Sequence, residues 1–273
     1  MTKTVLTEGV SQIAQTIIQS FSEAEKSLTV LVDASMQPTI SLPHITYQPI
    51  DWMDAEEWKY QLRDTDNIIF NVHTKMFNSS LWHGRRSDLR RLISKFVNLC
   101  HSADIIELKM KKEKPVFENA TYYELPKSYF YSNCNVHTEA ASSLQSMNVE
   151  SQDSVSKLLV DYAKYLQKVT LGLIEVRGLP QNYNIYAKGL KRPLIAMQPE
   201  SMDIIDGIRL RILPEGLLSK KVSHSLMSFF FIKISRTELQ TFLYRFESSL
   251  PWWLHMGTQA LIHDIVMAGF KRG

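Results

Sequence analysis

Apolar positions in the first hundred residues shift between helical and strand spacing. Val10, Ile13, Ala14, Ile17, Ile18 and Phe21 recur along one helical face, and Leu28-Thr-Val-Leu-Val-Asp33 follows as a short run rich in β-branched residues, the pattern of a buried strand. Pro38 and Pro43 bracket a loop, and His44–Ile50 offers a second strand. Asp54, with Glu57 three residues on, marks a helix start carrying Ala55 to about Leu62. Asn67-Ile-Ile-Phe-Asn-Val72 is nearly all apolar, as suits a strand covered on both faces. The clearest stripe, Leu89, Leu92, Ile93, Phe96, Val97 and Cys100, predicts a helix from near Arg86 to near His101, capped by Ser87 or Asp88. Asp104–Lys111 then sets Ile106, Leu108 and Met110 against Glu107, Lys109 and Lys111, the alternation of a half-exposed edge strand. Strand, helix, strand with crossovers of this length implies parallel pairing.

The pattern changes beyond Pro126. Residues 132–152 are rich in Ser, Asn, Gln and Thr without a strong period and read as a polar linker or mobile loop. It separates a Rossmann-like α/β domain, residues 1–131, from an α+β region, 153–273, which is either a second domain or an extension of the same sheet. In that second half Val155, Leu158, Leu159, Tyr162 and Leu166 predict a helix. Thr170–Arg177, Leu194–Met197, Ile204–Leu213 and Ser228–Ile234 read as strands. Arg236–Glu247 and a segment starting near Pro251 read as closing helices, the first because Leu239, Phe242, Leu243 and Phe246 keep helical spacing. The expected fold class is α/β: an N-terminal parallel or mixed sheet with flanking helices, followed by an α+β C-terminal half.

Composition narrows the function classes. The 273 residues are 44% hydrophobic and 22% charged, as in folded globular chains, and Gly and Pro number only 10 each. Cys100 and Cys134 are too few for a disulfide scaffold or a four-cysteine zinc site. No stretch reaches about 18 uninterrupted apolar residues, and no signal-peptide pattern opens the chain, so the expectation is a cytoplasmic protein without a membrane partner. Asn78 and Asn119 head Asn-x-Ser/Thr triplets, which matter only in a secreted chain. The balance of 31 basic against 28 acidic residues gives a net charge of +3, yet much of the positive charge falls in residues 85–114.

Candidate chemistry follows from this layout. Ligands of open parallel sheets sit beyond the carboxyl ends of the strands. The residues leaving the two most buried strands are Asp33 and Ser35, then His73 and Lys75; His73, Asp33 and Ser35 are the catalytic candidates and Lys75 a ligand-binding cation. Arg85 and Arg86, beside Gly84 at the start of the strongest helix, could anchor an anion. Arg86, Arg90, Arg91 and Lys95, with Lys109 and Lys111 on the following strand, could contact nucleic-acid phosphates. Asp104-Ile-Ile-Glu107-Leu-Lys109 resembles the metal-binding strand of PD-(D/E)xK nucleases, in which the upstream Asp lies on a neighbouring antiparallel strand; here a long helix precedes the strand instead. His255 and His263 stand two turns apart, too far for one metal, and no zinc motif is present. Trp252 and Trp253 cannot both face one core from a helix, which makes one a candidate for an interface or pocket wall.

No cofactor is indicated. Two functions fit: a protein binding an anionic or nucleotide-like ligand at the carboxyl edge of its N-terminal sheet, as a transferase or hydrolase would, or a non-catalytic subunit of a larger assembly. The second would use its basic helix for nucleic acid or an acidic partner, and an aromatic surface for protein contact.

Overall fold

The computed structural model describes residues 2–36, 41–79, 81–100, 104–111, 114–117, 140–149, 153–202, 205–220 and 227–249. The chain divides into two compact units, Met1–Ser80 with Leu89–Thr138, and Leu81–Asp88 with Glu139–Gly273.

The first unit runs β1 (Thr4–Leu6), α1 (Gln12–Glu23), β2 (Leu28–Asp33), β3 (Ile45–Ile50), α2 (Ala55–Leu62), β4 (Asn67–Phe70) and a single 3₁₀ turn (Thr74–Phe77). The chain then forms β5 (Leu81–His83) in the second unit, starts α3 (Arg86–Cys100) there, and returns to add β6 (Asp104–Lys111) and β7 (Lys114–Phe117). The strands lie in the order β3-β2-β1-β4-β6-β7, parallel throughout except that β7 folds back antiparallel on β6. Counted by their own succession the parallel strands are ordered 3-2-1-4-5, which is the doubly wound arrangement with its switch point between β1 and β4.

Two sequence expectations change here. Strand β1 was not anticipated, because three residues are too few to show a period, yet Val5 and Leu6 are 0% exposed at the centre of the sheet. Strand β6 is not an edge: it pairs with β4 and with β7, and β7 takes the edge.

Helix boundaries follow local chemistry. Ser11 caps α1 by accepting from the Ala14 amide at 3.1 Å, and Asp54 caps α2 by accepting from Glu56 and Glu57 at 2.9 and 3.3 Å. Asp54→Ala is expected to lower stability by about 1 kcal/mol, read from the urea unfolding midpoint. Behind α2 the fully buried Trp52 and Trp58 pack at 5.6 Å between centroids, with Phe77 and Phe96 on their far sides. Both indoles also donate to backbone, Trp52 to the Met76 carbonyl and Trp58 to that of Trp52, so their polar atoms are satisfied inside the core.

The second unit comprises β5 with β8 (Ala141–Asn148), α4 (Val155–Val169), β9 (Ile174–Arg177), β10 (Asn184–Ala187), β11 (Ala196–Ser201), β12 (Gly207–Leu213), β13 (Ser228–Ser235) and β14 (Glu238–Phe246). A six-stranded sheet is ordered β11-β12-β13-β14-β8-β5, antiparallel except for the β5–β8 pair, while β9 and β10 form a separate hairpin. Helix α4 lays Leu158, Leu159, Tyr162 and Leu166 against Phe229, Phe231, Leu210 and Leu239 of this sheet.

The sequence reading of Arg236–Glu247 as a helix is corrected. Those residues turn at Arg236-Thr237 and form β14, buried on both faces so that Gln240, Thr241 and Phe242 are all 0% exposed. Burial on two faces erases the polar alternation of a strand, and the remaining apolar positions then satisfy a helical spacing by coincidence. Residues 141–148, read as part of a polar linker, instead form β8 between β14 and β5. Its serines are small enough to pack inside the sheet, Ser142 being 0% exposed. The segment after Pro251, including Trp252, Trp253, His255 and His263, and Cys134, lie outside the described residues.

Candidate functional site

The switch point of the first unit is occupied by a polar network that sequence reading missed. Strand β1 runs out through Thr7 and Glu8, and β4 through Asn71; Thr7 and Glu8 are 0% exposed, Ser11 6% and Asn71 5%. One Glu8 carboxylate oxygen accepts from the amides of Val10 at 2.7 Å and Ser11 at 3.0 Å, the open N–H groups where α1 begins. The other accepts from the Ser11 hydroxyl and the Asn71 amide nitrogen. Thr7 closes the set, its hydroxyl donating to the Asn71 carbonyl at 2.5 Å and accepting from the Asn71 amide at 2.8 Å.

A helix N-terminus at this point of a doubly wound sheet is where a dinucleotide pyrophosphate would sit, held by backbone amides and the helix dipole. Here the anion is the protein's own carboxylate. The turn Thr7-Glu8-Gly9-Val10-Ser11 has one glycine, and a Cβ on Gly9 would stand 2.7 Å from a Val30 methyl. Gly9 therefore serves close packing of this turn on β2, and the turn keeps no second glycine to admit a ligand phosphate.

At the end of β2, Asp33 is 0% exposed and turns inward on its own loop. One carboxylate oxygen accepts from the Ser35 amide at 2.9 Å and the Ser35 hydroxyl at 2.5 Å, and Asn78 donates its side-chain amide to the same hydroxyl at 2.8 Å. The sequence pairing of Asp33 with Ser35 is thus a direct contact, and Asn78 was the partner not foreseen. Asn78 ends the 3₁₀ turn with φ 49°, a conformation that suits asparagine. His73 opens the same turn, its Nδ1 accepting from the Lys75 amide at 3.2 Å. His73 is half-buried and Lys75 exposed.

Arg85 and Arg86 belong to the second unit and are exposed. Arg90 sets its guanidinium over the Phe70 ring, 5.1 Å from the centroid, and is half-buried; Lys95 is half-buried and Arg91 exposed. Lys109 and Lys111 lie on β6 opposite Val116 and Lys114. The Glu107 strand has Asn67–Phe70 on one side and Lys114–Phe117 on the other, so neither neighbouring strand carries the acidic partner of the nuclease arrangement. Among the described residues no three His, Cys, Asp or Glu side chains gather as metal ligands would.

A shallow cavity of about 220 Å³ lies at the opposite end of the parallel strands, lined by Lys3, Thr4, Leu28, His44, Ile45 and Thr46 among others. Its lysine amine is engaged, donating to the Arg63 carbonyl at 2.6 Å. In the second unit the marked pKa displacements belong to interior groups: burial pushes the Tyr162 and Tyr183 phenols up, and pushes the half-buried Arg245 guanidinium down to about 10. Desolvation carries the two phenols further from neutrality and still leaves the guanidinium protonated there, so none of the three is poised to exchange a proton at neutral pH.

No family model matches the chain, and no curated protein matches it. Similar solved structures include a Burkholderia pseudomallei protein described as a "Putative exported protein", 13% identical over 39% of this chain and 47% of that one, with a TM-score of 0.30. Another is the UDP-N-acetylglucosamine 4-epimerase from Bacillus cereus, 16% identical over 39% of this chain and 35% of that one, with a TM-score of 0.27. The chain thus spans less than half the length of either. Among the described residues no helix is long and apolar enough to cross a membrane.

Proposed function

We propose that this chain is a non-catalytic binding protein, a subunit of a larger assembly, in which the doubly wound unit is a structural scaffold. The observation that carries this reading is Glu8, whose buried carboxylate takes the amides of Val10 and Ser11 that a ligand phosphate would need. The Asp33–Ser35–Asn78 contacts support it in the same way, since the acid and hydroxyl proposed for catalysis hold a loop in place. Exposed Arg85 and Arg86 at the start of α3 offer a basic surface to nucleic acid or an acidic partner.

A second reading, an anionic or nucleotide-like ligand at the carboxyl edge, is favoured by the strand order alone. Thermal unfolding with dinucleotides, nucleoside triphosphates and a nucleotide sugar separates the two. A ligand that binds the folded chain at a hundred times its Kd stabilises it by about 2.7 kcal/mol, a rise of several degrees. If the doubly wound unit is a scaffold, none of them raises the thermal midpoint at millimolar concentration; a saturable rise with one would establish a ligand at the carboxyl edge instead.

A further inference from the structure

Seven large apolar side chains among the described residues are exposed, and five of them belong to the second unit: Val169, Leu171 and Leu173 in one short stretch, with Leu190 and Leu217 on two later segments. Leu171 is 90% exposed and Leu173 63%. They ride on a compact turn in which the Leu171 amide donates to the Lys168 carbonyl, that of Gly172 to Gln167 and that of Leu173 to Thr170. The Lys188 amide donates to the Leu173 carbonyl at 2.8 Å, which sets the β10–β11 connection beside this turn, and the Leu217 amide donates to Pro193 at 3.0 Å.

Lys168, Lys188, Lys191 and Arg192 stand on these same segments, all exposed. None of the four makes an ion pair among the described residues; Arg192 donates to the Glu215 backbone carbonyl at 3.2 Å, and of the acids on neighbouring segments Asp161 and Glu175 pair with Lys164 and Arg177. Leu171 also holds φ at 51°, where glycine or asparagine would serve the turn with less strain. An exposed leucine kept there presents its side chain outward instead of helping the fold.

From these observations we propose that the second unit docks on an anionic lipid bilayer surface. In this pose Leu171 and Leu173 sit in the headgroup–acyl boundary, and Lys168, Lys188, Lys191 and Arg192 lie over the negative headgroups. The composition selects a bilayer over a protein partner. Protein contact sites concentrate Trp, Tyr and Arg and are depleted in Lys, with Leu under-represented among their energetic centres, whereas a protruding leucine tip ringed by lysine matches interfacial membrane binding. Neither the near-neutral total charge nor the absence of a spanning helix among the described residues bears on such peripheral contact, and the proposal stands whether or not the carboxyl edge of the first unit binds a ligand.

Co-sedimentation of the full chain with vesicles of phosphatidylcholine and phosphatidylserine, against phosphatidylcholine alone, tests it at low and at physiological salt. The chain is expected to pellet with the anionic vesicles only. Exchanging one cation, as in Lys188→Gln or Lys191→Gln, should weaken partitioning about fivefold, and Leu171→Asn with Leu173→Ser at least tenfold. Leu171→Asn suits the positive φ and removes a side chain that contributes little to the core, so loss of folding is not the expected cause of lost binding. A chain that stays in the supernatant with anionic vesicles overturns the proposal, and is the outcome a protein partner for this surface would give. Binding that is indifferent to the two leucine exchanges overturns it as well, because bare charge attraction would then suffice.

Discussion

Glu8→Ala is expected to destabilise the protein by about 3 kcal/mol or more, measured by urea unfolding. The carboxylate accepts from two backbone amides, a hydroxyl and a side-chain amide, the Val10 contact partly buried and the other three buried. Removing it strands these donors, and each buried donor left unsatisfied costs about 1–3 kcal/mol unless water or an ion enters. The space freed is anion-shaped, so inorganic phosphate should raise the thermal midpoint of Glu8→Ala while leaving that of the native chain unchanged. Glu8→Gln keeps the volume and one acceptor and should lose roughly half as much stability. A Glu8→Ala chain within about 0.5 kcal/mol of the native one would show that the network is ornamental to the fold.

Phe231→Ala should have a comparable effect in the second unit. Its ring is 0% exposed, lies 5.4 Å from Tyr162 of α4 and 5.1 Å from Phe229, and joins helix to sheet near the middle of β13. Truncating a buried phenylalanine removes its transfer free energy and leaves a cavity, together about 3–5 kcal/mol. The urea midpoint should fall accordingly. A loss below about 1 kcal/mol would mean that α4 is not held by this part of the sheet.

Most helices and buried strands of the first unit were legible in the sequence because each carries a clear period or cap. Helix α1 has Ile17, Ile18 and Phe21 on one face, and α2 starts at Asp54 as its Asp-x-x-Glu pattern requires. Elements without such a signal escaped. Strand β1 is too short to show a period, β8 hides an interior strand behind serines, and β14 is buried on both faces and so mimics a helix. The site was half legible for a related reason. Position after a strand identified Asp33, Ser35 and His73, but Glu8 and Asn71 could be found only once β1 was known to be central and next to β4. The one signal available beforehand was an acid directly ahead of the helix that Ser11 caps. Likewise, net charge concealed the lysines around Leu171, which come together only through the β9–β10 hairpin.

The protein's own carboxylate holds the place at the start of α1 where a ligand phosphate would bind. A crystal structure grown with a dinucleotide and phosphate in excess tests it most directly. The expected result is the Glu8 carboxylate within hydrogen-bonding distance of the Val10 and Ser11 amides, with no ligand phosphate at the start of α1. Density for a phosphate group on those amides, with the Glu8 side chain turned away, would contradict it.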